Sequence, residues 1–178
     1  MKIVVTGSAG FIGSAVSLYL LGRGDEVLGI DNINDYYDVN LKLDRLERTK
    51  GYDAFTEAHI NLEDKEAVFQ AISKFKPERA INLAAQAGVH YSIENPFAYV
   101  DTNLVGFINI LEACQLHKIE HLVYASSSSV YGANTKMPFS EKDGVDHPVQ
   151  LYASTKRANE LMAHSYGNLY GLPTTGLR

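Results

Sequence analysis

Short apolar runs rich in β-branched residues alternate along the chain with longer stretches of helical periodicity. The runs that predict strands are Lys2 to Thr6, Glu26 to Ile30, Arg79 to Asn82, His121 to Ser126 and Pro173 to Leu177, with a weaker candidate at Ala54 to Ala58. The stretches that predict helices are Phe11 to Gly22, Val39 to Lys50, Asp64 to Phe75, Pro96 to His117 and Leu151 to Tyr170. This alternation predicts an α/β fold with an open, doubly wound parallel sheet, whose ligands bind at the carboxyl ends of the strands.

The fourth predicted helix has a clear start signal. Asn95 can cap it, and Pro96 occupies the first helical position. Four apolar residues then mark one face of this helix, namely Val100, Leu104, Phe107 and Leu111. The longest irregular stretch, Val130 to Gln150, is too long for a mere connector, so we expect it to lie above a functional site.

Composition and charge exclude several classes of protein. A chain of 178 residues that is 46% hydrophobic can bury one core. Its formal net charge of −5 argues against binding nucleic acid or an anionic membrane by bulk electrostatics. No apolar run approaches the roughly 20 residues of a membrane helix, and Met1 leads into a glycine turn without room for a signal peptide. With Cys114 as the single cysteine, we expect a soluble cytoplasmic protein without a disulfide or a metal site.

A glycine-rich segment lies between the first predicted strand and the first predicted helix. It has the spacing Gly7-x-x-Gly10-x-x-Gly13. Gly7 permits the tight turn, Gly10 lets a pyrophosphate approach the backbone, and Gly13 allows close packing of helix on strand. Asp31 follows 18 residues after Gly13, where a carboxylate accepts from both ribose hydroxyls and repels a 2′-phosphate. No arginine lies between Asp31 and Arg45, so the segment predicts a Rossmann-type site that favours NAD over NADP.

The last predicted helix begins with the pattern Tyr-x-x-x-Lys at Tyr152 and Lys156. These positions share a helix face, so the ammonium can lie beside the phenol and favour its phenolate. A cation is useful there because a free phenol, with a pKa of about 10, is a poor base at neutral pH. Upstream, the hydroxyl run Ser126 to Ser129 ends a predicted strand and can polarise a carbonyl or an alcohol.

These motifs together resemble the extended short-chain dehydrogenase/reductase family, the NAD-dependent epimerases and dehydratases of nucleotide sugars. Asn82 to Ala85 and Val130 to Gly132 add to the resemblance, which covers the whole chain. In that family the tyrosine takes the proton of a sugar hydroxyl. The lysine lowers the pKa of the tyrosine and binds the nicotinamide ribose. A serine 25 residues before the tyrosine shares the hydrogen bond to the sugar hydroxyl. The resemblance therefore implies Tyr152, Lys156 and Ser127 as catalytic residues and NAD as the cofactor.

The resemblance also implies two sets of binding residues. Those expected to contact the cofactor are Gly7, Ala9, Gly10, Phe11, Ile12, Gly13, Asp31, Asn32, Asn61, Leu62, Leu83, Ala84, Ala85, Gln86, Asn103, Tyr152 and Lys156. Those expected to contact a UDP-sugar are Ser127, Ser128, Ser129, Gln86 and His90.

Longer segments are similar to the UDP-glucuronate 4-epimerases in particular. They are Asn34 to Lys42, Ala85 to Val89, Ala125 to Phe139 and Glu160 to His164. This similarity implies an isomerase that converts UDP-glucuronate to UDP-galacturonate through a 4-keto intermediate. The sequence departs from its relatives at three positions. Asn61 replaces an aspartate that meets the adenine amine, Asn82 stands where many relatives have histidine, and His90 stands where the glucuronate epimerases commonly have arginine.

Several alternatives stay open at the level of sequence. A UDP-glucuronate decarboxylase, a UDP-hexose 4-epimerase or a nucleotide-sugar dehydratase would use the same catalytic residues. A non-catalytic NAD-binding module would need only the glycine turn and Asp31. By analogy with the family, the helices at 96–117 and 151–170 could also pair with their copies in a homodimer.

The family's members run to well over 300 residues, and the segment after the sixth strand supplies most of their substrate contacts. We therefore expect residues 1–178 to form the NAD-binding Rossmann domain, with the smaller C-terminal substrate domain largely missing. We predict that the isolated chain turns over poorly or not at all.

Overall fold

The computed structural model describes residues 1–178 and contains one six-stranded parallel sheet. Its strands are β1 (Lys2–Thr6), β2 (Glu26–Asp31), β3 (Phe55–His59), β4 (Arg79–Asn82), β5 (His121–Ala125) and β6 (Thr174–Leu177). The helices are α1 (Phe11–Gly22), α2 (Val39–Glu47), α3 (Lys65–Phe75), α4 (Tyr91–Glu94), α5 (Pro96–Val100), α6 (Gly106–Leu116) and α7 (Leu151–Tyr170). The predicted doubly wound α/β fold is thereby confirmed.

The strand order β3-β2-β1-β4-β5-β6 places the change of winding direction between β1 and β4. Thr6 at the end of β1 pairs with Ile30 of β2 on one side and with Asn82 of β4 on the other. The polypeptide leaves β1 toward one face of the sheet and leaves β4 toward the other, so a crevice opens beyond the carboxyl ends of these two strands.

Alternate side chains of β1 enter different halves of the core, as expected for a sheet covered on both faces. Val4 packs in a cluster that includes Ile110 of α6 and Leu122 of β5. Ile3 and Val5 pack on the other face against Leu20 and Leu21 at the end of α1, among others. The single cysteine, Cys114, is a fully buried free thiol in the larger cluster, and burial raises its pKa to about 12.

The predicted helix from Pro96 to His117 is a rod with an irregular middle. A π-helical turn, Asp101–Val105, joins α5 to α6. Asn95 caps the rod as predicted, accepting a hydrogen bond from the backbone N–H of Ala98. The predicted apolar face is wrong at Val100, which is 37% exposed. A π-turn widens the helical repeat, so the buried face follows Tyr99, Asn103 and Phe107 instead.

The other differences are small. The helix predicted to reach Lys50 ends at Glu47, and the one predicted from Asp64 begins one residue later because Asp64 caps it through the backbone N–H of Ala67. The strand bounds shift by one residue at β2, β3, β5 and β6. The four residues of α4 were not predicted, since so short a helix shows no periodicity.

The irregular stretch between β5 and α7 packs around a small core of its own. Val130, Tyr131 and Val145 are buried there. Phe139 stacks on Tyr131, with 4.6 Å between ring centroids. The stretch is therefore an ordered surface above the end of β5. No helix of the chain is both long and apolar enough to cross a bilayer.

Candidate active site

The glycine turn between β1 and α1 has a backbone that excludes larger residues. Gly7 has a φ of +73°, and a Cβ there would lie 2.8 Å from the backbone nitrogen of Ala84. A Cβ on Gly13 would lie 1.9 Å from the carbonyl oxygen of Gly7. No side chain caps the start of α1 at Gly10, so the first N–H groups of this helix can receive an anion.

Asp31, the last residue of β2, lies beside this turn. One carboxylate oxygen accepts from the backbone N–H of Ala9 and the other from that of Ile33, both at 3.0 Å. Each oxygen has further lone pairs for a ligand hydroxyl. The position agrees with the role predicted for Asp31, which is to bind the ribose of a dinucleotide.

A cleft of about 420 Å³ runs over the ends of β1, β2 and β4. Twelve of the residues predicted to contact a cofactor line it, namely Gly7, Gly10, Phe11, Ile12, Gly13, Asp31, Asn32, Leu62, Leu83, Ala84, Ala85 and Gln86. These twelve residues therefore form one continuous surface, and their contact with a cofactor stays a prediction. Ten further lining residues were not predicted as contacts: Ile30, Asn34, Tyr36, Tyr37, Lys42, Arg45, Ile60, Ala87, Thr102 and Ala125.

Two of the missed residues are cations on α2. The buried ammonium of Lys42 donates to the backbone and side-chain oxygens of Asn34, each at 2.6 Å. Its burial lowers the pKa of Lys42, although the charge of Asp31 opposes this. Arg45 reaches back to the glycine turn and donates to the carbonyl oxygen of Ala9 at 3.3 Å. In the sequence, this pair could have been noticed because Lys42 and Arg45 are three residues apart and therefore share one face of the amphipathic helix α2.

Five predicted cofactor contacts do not line the cleft. They are Ala9, Asn61, Asn103, Tyr152 and Lys156. The amide of Asn61 accepts from Asn32 at the rim. Asn103 is 2% exposed and lies behind the cleft, where it binds both backbone groups of Gln86 and the hydroxyl of Thr155. Asn103 thus supports the wall of the cleft from behind.

Two of the predicted catalytic residues, Lys156 and Ser127, lie where α7 and the end of β5 come together. Lys156 is 3% exposed, and burial lowers its pKa to about 8. Its ammonium donates to the carbonyl oxygen of Ala125 at 3.0 Å. Ser127 accepts from the N–H of Ser129 and donates to its hydroxyl, both at 3.1 Å. No hydrogen bond joins the half-buried phenol of Tyr152 to Lys156 or Ser127. Lys156 is bonded to the strand end instead, and Ser127 to Ser129.

The residues predicted to contact substrate are more scattered. Gln86 lines the cleft. Ser127 and Ser129 lie just beyond the end of β5, bonded to each other. Ser128 lines a second, open cavity of about 700 Å³ between β6, α7 and the irregular stretch. His90 is exposed before α4 and lines neither cavity.

The side chain of Asn82 has a structural partner at the floor of the cleft. Its side-chain oxygen accepts from the hydroxyl of Thr6 at 2.7 Å. The oxygen of that hydroxyl in turn accepts from the backbone N–H groups of Leu83 and Ala84. This chain of bonds joins the ends of β1 and β4 at the floor of the cleft.

A glycine turn at the switch point of a doubly wound sheet, together with a Tyr-x-x-x-Lys helix bonded to the end of β5, defines a dinucleotide-binding α/β protein of the short-chain dehydrogenase/reductase class. Within that class, the chain belongs to the family described as GDP-mannose 4,6 dehydratase, which matches residues 4–178. The predicted membership of the extended epimerase and dehydratase family is therefore confirmed.

The chain is also similar to individual proteins of this kind, three of which follow. The chain is 56% identical over 178 residues to Protein CapI of Staphylococcus aureus, covering 100% of this chain and 53% of that protein. It is 51% identical over 181 residues to a probable UDP-glucuronate 4-epimerase of Rhizobium meliloti, covering 100% and 52%. The crystal structure of UDP-glucuronic acid 4-epimerase from Bacillus cereus, in complex with UDP-glucuronic acid and NAD, is similar with a TM-score of 0.91 and 30% identity, covering 100% and 56%. The chain thus spans about half the length of these relatives.

Proposed function

We propose that this chain is the dinucleotide-binding part of an NAD-dependent nucleotide-sugar 4-epimerase. The observation that carries the proposal is the bond from the buried ammonium of Lys156 to the carbonyl oxygen of Ala125, a residue that lines the cleft of the glycine turn. A module that only bound dinucleotide would need no buried lysine at this strand end. The identities of the relatives support UDP-glucuronate as substrate and UDP-galacturonate as product.

The cleft fits a dinucleotide in both charge and shape. The start of α1 offers N–H groups to a pyrophosphate, and a Cβ on Gly7 or Gly13 would collide with the turn. The carboxylate of Asp31 is placed to accept from ribose hydroxyls. Its negative charge disfavours a 2′-phosphate, which supports NAD as the natural cofactor.

The reaction follows from the groups at the end of β5. A bound nicotinamide would supply reversible acceptance of hydride from C4 of the sugar. Tyr152 takes the proton of the 4-hydroxyl at its phenolic oxygen, and Ser127 donates a hydrogen bond to the oxygen that becomes the ketone. Lys156, one helical turn along α7 from Tyr152, binds the end of β5 through the carbonyl oxygen of Ala125. Tyr152 returns the proton once the 4-keto sugar has rotated in the site, and a bound nicotinamide would return the hydride to the other face of C4, so that C4 is inverted without net oxidation.

The proposal is tested by measuring binding and turnover on the same samples. The chain is purified alone and joined at Arg178 to the part of CapI that lies beyond the matched residues. Calorimetry measures the affinity for NAD and NADP, and chromatography resolves the products from UDP-glucuronate. We expect both forms to bind NAD more tightly than NADP, and the joined form to produce UDP-galacturonate.

A Tyr152→Phe variant of the joined form is the control, and it should bind NAD but produce nothing. NAD binding without any product from the unmodified joined form would contradict epimerisation. Failure of both forms to bind a dinucleotide would contradict the assignment of the cleft. Rapid turnover by the chain alone would contradict the predicted need for a second half.

We also infer a homodimer formed by residues 96–117 and 151–170. Large apolar side chains are exposed on these helices, including Phe97 at 75% and Leu161 at 53%. Burying such side chains against a second copy would remove apolar surface from water. Light scattering should give twice the chain mass, and a Phe97→Glu variant should give the mass of one chain. The cytoplasmic location stays a prediction.

A further inference from the structure

A carboxylate on α7 binds the strand end that carries the catalytic serine. The side chain of Glu160 is only 10% exposed. Its Oε1 accepts from the hydroxyl of Ser126 at 2.6 Å and from Nε of Arg178 at 2.8 Å. Its Oε2 accepts from Nη2 of Arg178 and from Nη1 of Arg157, both at 2.9 Å. Four hydrogen bonds therefore converge on one carboxylate from β5, from the end of β6 and from α7 itself.

The carboxylate stays ionised in this setting. Burial alone would raise the pKa of Glu160, but the hydrogen bonds from Arg178, Ser126 and Arg157 outweigh it and hold the pKa below its ordinary value. Two guanidinium groups surround one carboxylate, and one of them binds it through two parallel bonds. Such bidentate, partly buried pairs have a defined geometry that exposed ion pairs lack.

Glu160 continues the row of catalytic groups along the helix. Tyr152, Lys156 and Glu160 follow one another at intervals of four residues, which places them on one face of α7. Lys156 binds the carbonyl oxygen of Ala125, and Glu160 binds the hydroxyl of the next residue, Ser126. A single bond would let the strand end pivot about it. Two bonds, one helical turn apart, define both the distance and the orientation of the strand end relative to the helix.

The same carboxylate reaches the turn that follows Ser127. Arg178, bound to Glu160, lies 5.1 Å from the ring centroid of Tyr131. Tyr131 closes the 3-10 turn of residues 128–131, for which Ser127 is the capping residue. The backbone N–H of Ser126 also donates to the carbonyl oxygen of Leu177 at 2.7 Å. Glu160 is thus connected to the strand before Ser127 and to the turn after it.

We propose that Glu160 is a positioning residue, which holds Ser127 at its working distance from Tyr152 by binding Ser126 and Arg178. The inference rests on the proposed function, since the hydroxyls of Ser127 and Tyr152 act together only if the protein transfers the proton of a sugar alcohol. Displacement of a reacting group by about 1 Å costs on the order of 100-fold in rate. Loss of the carboxylate should therefore lower turnover without lowering cofactor affinity.

Two variants test the proposal, and a third is their control. Glu160→Gln keeps an acceptor for Ser126 but removes the charge that binds both arginines. Ser126→Ala deletes only the bond between the strand and the carboxylate, with little change in volume. Glu112→Gln is the control, because Glu112 is a half-buried carboxylate that accepts from Tyr166 between α6 and α7, away from the strand end.

Kinetics are measured in the form of the protein that converts UDP-glucuronate. We expect Glu160→Gln to lower kcat at least about tenfold, with KM and the dissociation constant of NAD changed less than about twofold. Ser126→Ala should lower kcat in the same way but less. Glu112→Gln should leave kcat within about twofold. An equal fall of kcat in the control, or a rise in KM without a fall in kcat, would overturn the proposal.

Crystal structures of the same proteins with NAD provide a readout that is independent of turnover. The distance from Ser127 Oγ to Tyr152 Oη should change by about 1 Å in the first two variants and not in the control. If Glu160→Gln does not fold, Ser126→Ala decides. An unchanged distance in the variants that fold refutes the positioning role, whatever their activity. Absence of turnover in the unmodified protein counts against the proposed function alone.

Discussion

The ammonium of Lys156 donates to the carbonyl oxygen of Ala125 at 3.0 Å, joining α7 to the last residue of β5. The lysine is almost completely buried, and no carboxylate contacts its ammonium. Burial therefore lowers the pKa of Lys156 from 10.5 to about 8. The protein therefore carries a charge in its interior at neutral pH, and this buried charge is unfavourable for folding.

Replacing this lysine should stabilise the fold while it abolishes the proposed epimerisation. We expect Lys156→Met to raise the free energy of unfolding at neutral pH by about 1 to 3 kcal/mol, allowing for the lost hydrogen bond to Ala125. The pKa of the lysine is lower in the folded state, so the unfolded state binds more protons between pH 8 and 10.5. The stability of the unmodified protein should consequently rise across that window, and the advantage of the variant should shrink.

Urea denaturation at a series of pH values through this window measures the effect. Lys74→Met, at an exposed lysine of α3, is the control and should change stability by an amount that does not depend on pH. A Lys156→Met protein that is less stable than the original at every pH would contradict the account of the buried charge.

The glycine turn provides a comparison of two substitutions within one helix. Gly13→Ala places a Cβ 1.9 Å from the carbonyl oxygen of Gly7, so the turn must shift. We expect the affinity for NAD to fall at least about tenfold, because the N–H groups that receive the pyrophosphate move with the turn. Gly22→Ala, at the exposed end of the same helix, meets nothing within 4 Å. It should leave affinity unchanged and stabilise the fold by about 0.5 to 1 kcal/mol.

Calorimetry for NAD affinity and thermal unfolding for stability distinguish the two variants. Equal NAD affinity in Gly13→Ala and the unmodified protein would mean that the turn does not bind the pyrophosphate.

The elements of this fold were more predictable than the contacts between them. The helices from Phe11 to Gly22 and from Leu151 to Tyr170 have the bounds read from the sequence, because their patterns are regular and glycines mark their ends. The π-turn was not predicted, since it interrupts the periodicity on which the prediction rests. The consequence was an incorrect buried face at Val100.

In the candidate site, too, residues identified by a local pattern were predictable, whereas contacts between distant segments were not. Gly7, Gly13 and Asp31 were predictable because a local backbone requirement or a nearly constant spacing identifies each of them. Glu160 was not assigned a role, since its partners Ser126 and Arg178 lie 34 and 18 residues away in sequence. Sequence patterns detect interactions along one element, whereas a carboxylate that joins three elements is seen only in the fold.

Cofactor choice should depend on one carboxylate and on the cations next to it. Asp31 lines the cleft together with Lys42 and Arg45. Removing the carboxylate removes a repulsion for the 2′-phosphate and leaves two cations close to it. We expect Asp31→Ser to lower the ratio of NADP to NAD dissociation constants at least about tenfold, measured by calorimetry.

The double variant Asp31→Ser with Arg45→Gln serves as the control. It should lose much of the gain for NADP, because the cation nearest the glycine turn is gone. An Asp31→Ser protein with the original ratio would show that neither the carboxylate nor these cations contact the 2′ position.

A second carboxylate, far from the cleft, should control stability at low pH. The side chain of Asp25 is 6% exposed, and it accepts hydrogen bonds from the amino group of Met1 at 3.0 Å and from Arg23 at 2.6 Å. Burial raises the pKa of Asp25, but these hydrogen bonds lower it by more, so the net shift is downward. A carboxylate whose pKa is lower in the folded state contributes stability above the ordinary pKa, and that contribution is lost as the pH falls through the folded value.

We therefore expect Asp25→Asn to lower the free energy of unfolding at neutral pH by about 1 to 3 kcal/mol. The difference from the unmodified protein should persist down to about pH 5 and shrink below about pH 4, where the carboxylate of the unfolded state begins to bind protons. The adjacent Glu26 provides the control, since it forms an exposed pair with Lys2 at 3.4 Å. Glu26→Gln should change stability by less than about 1 kcal/mol. Urea denaturation at neutral pH measures the free energy of unfolding of both variants. If Asp25→Asn and Glu26→Gln lower it equally, burial of Asp25 does not strengthen its ion pairs.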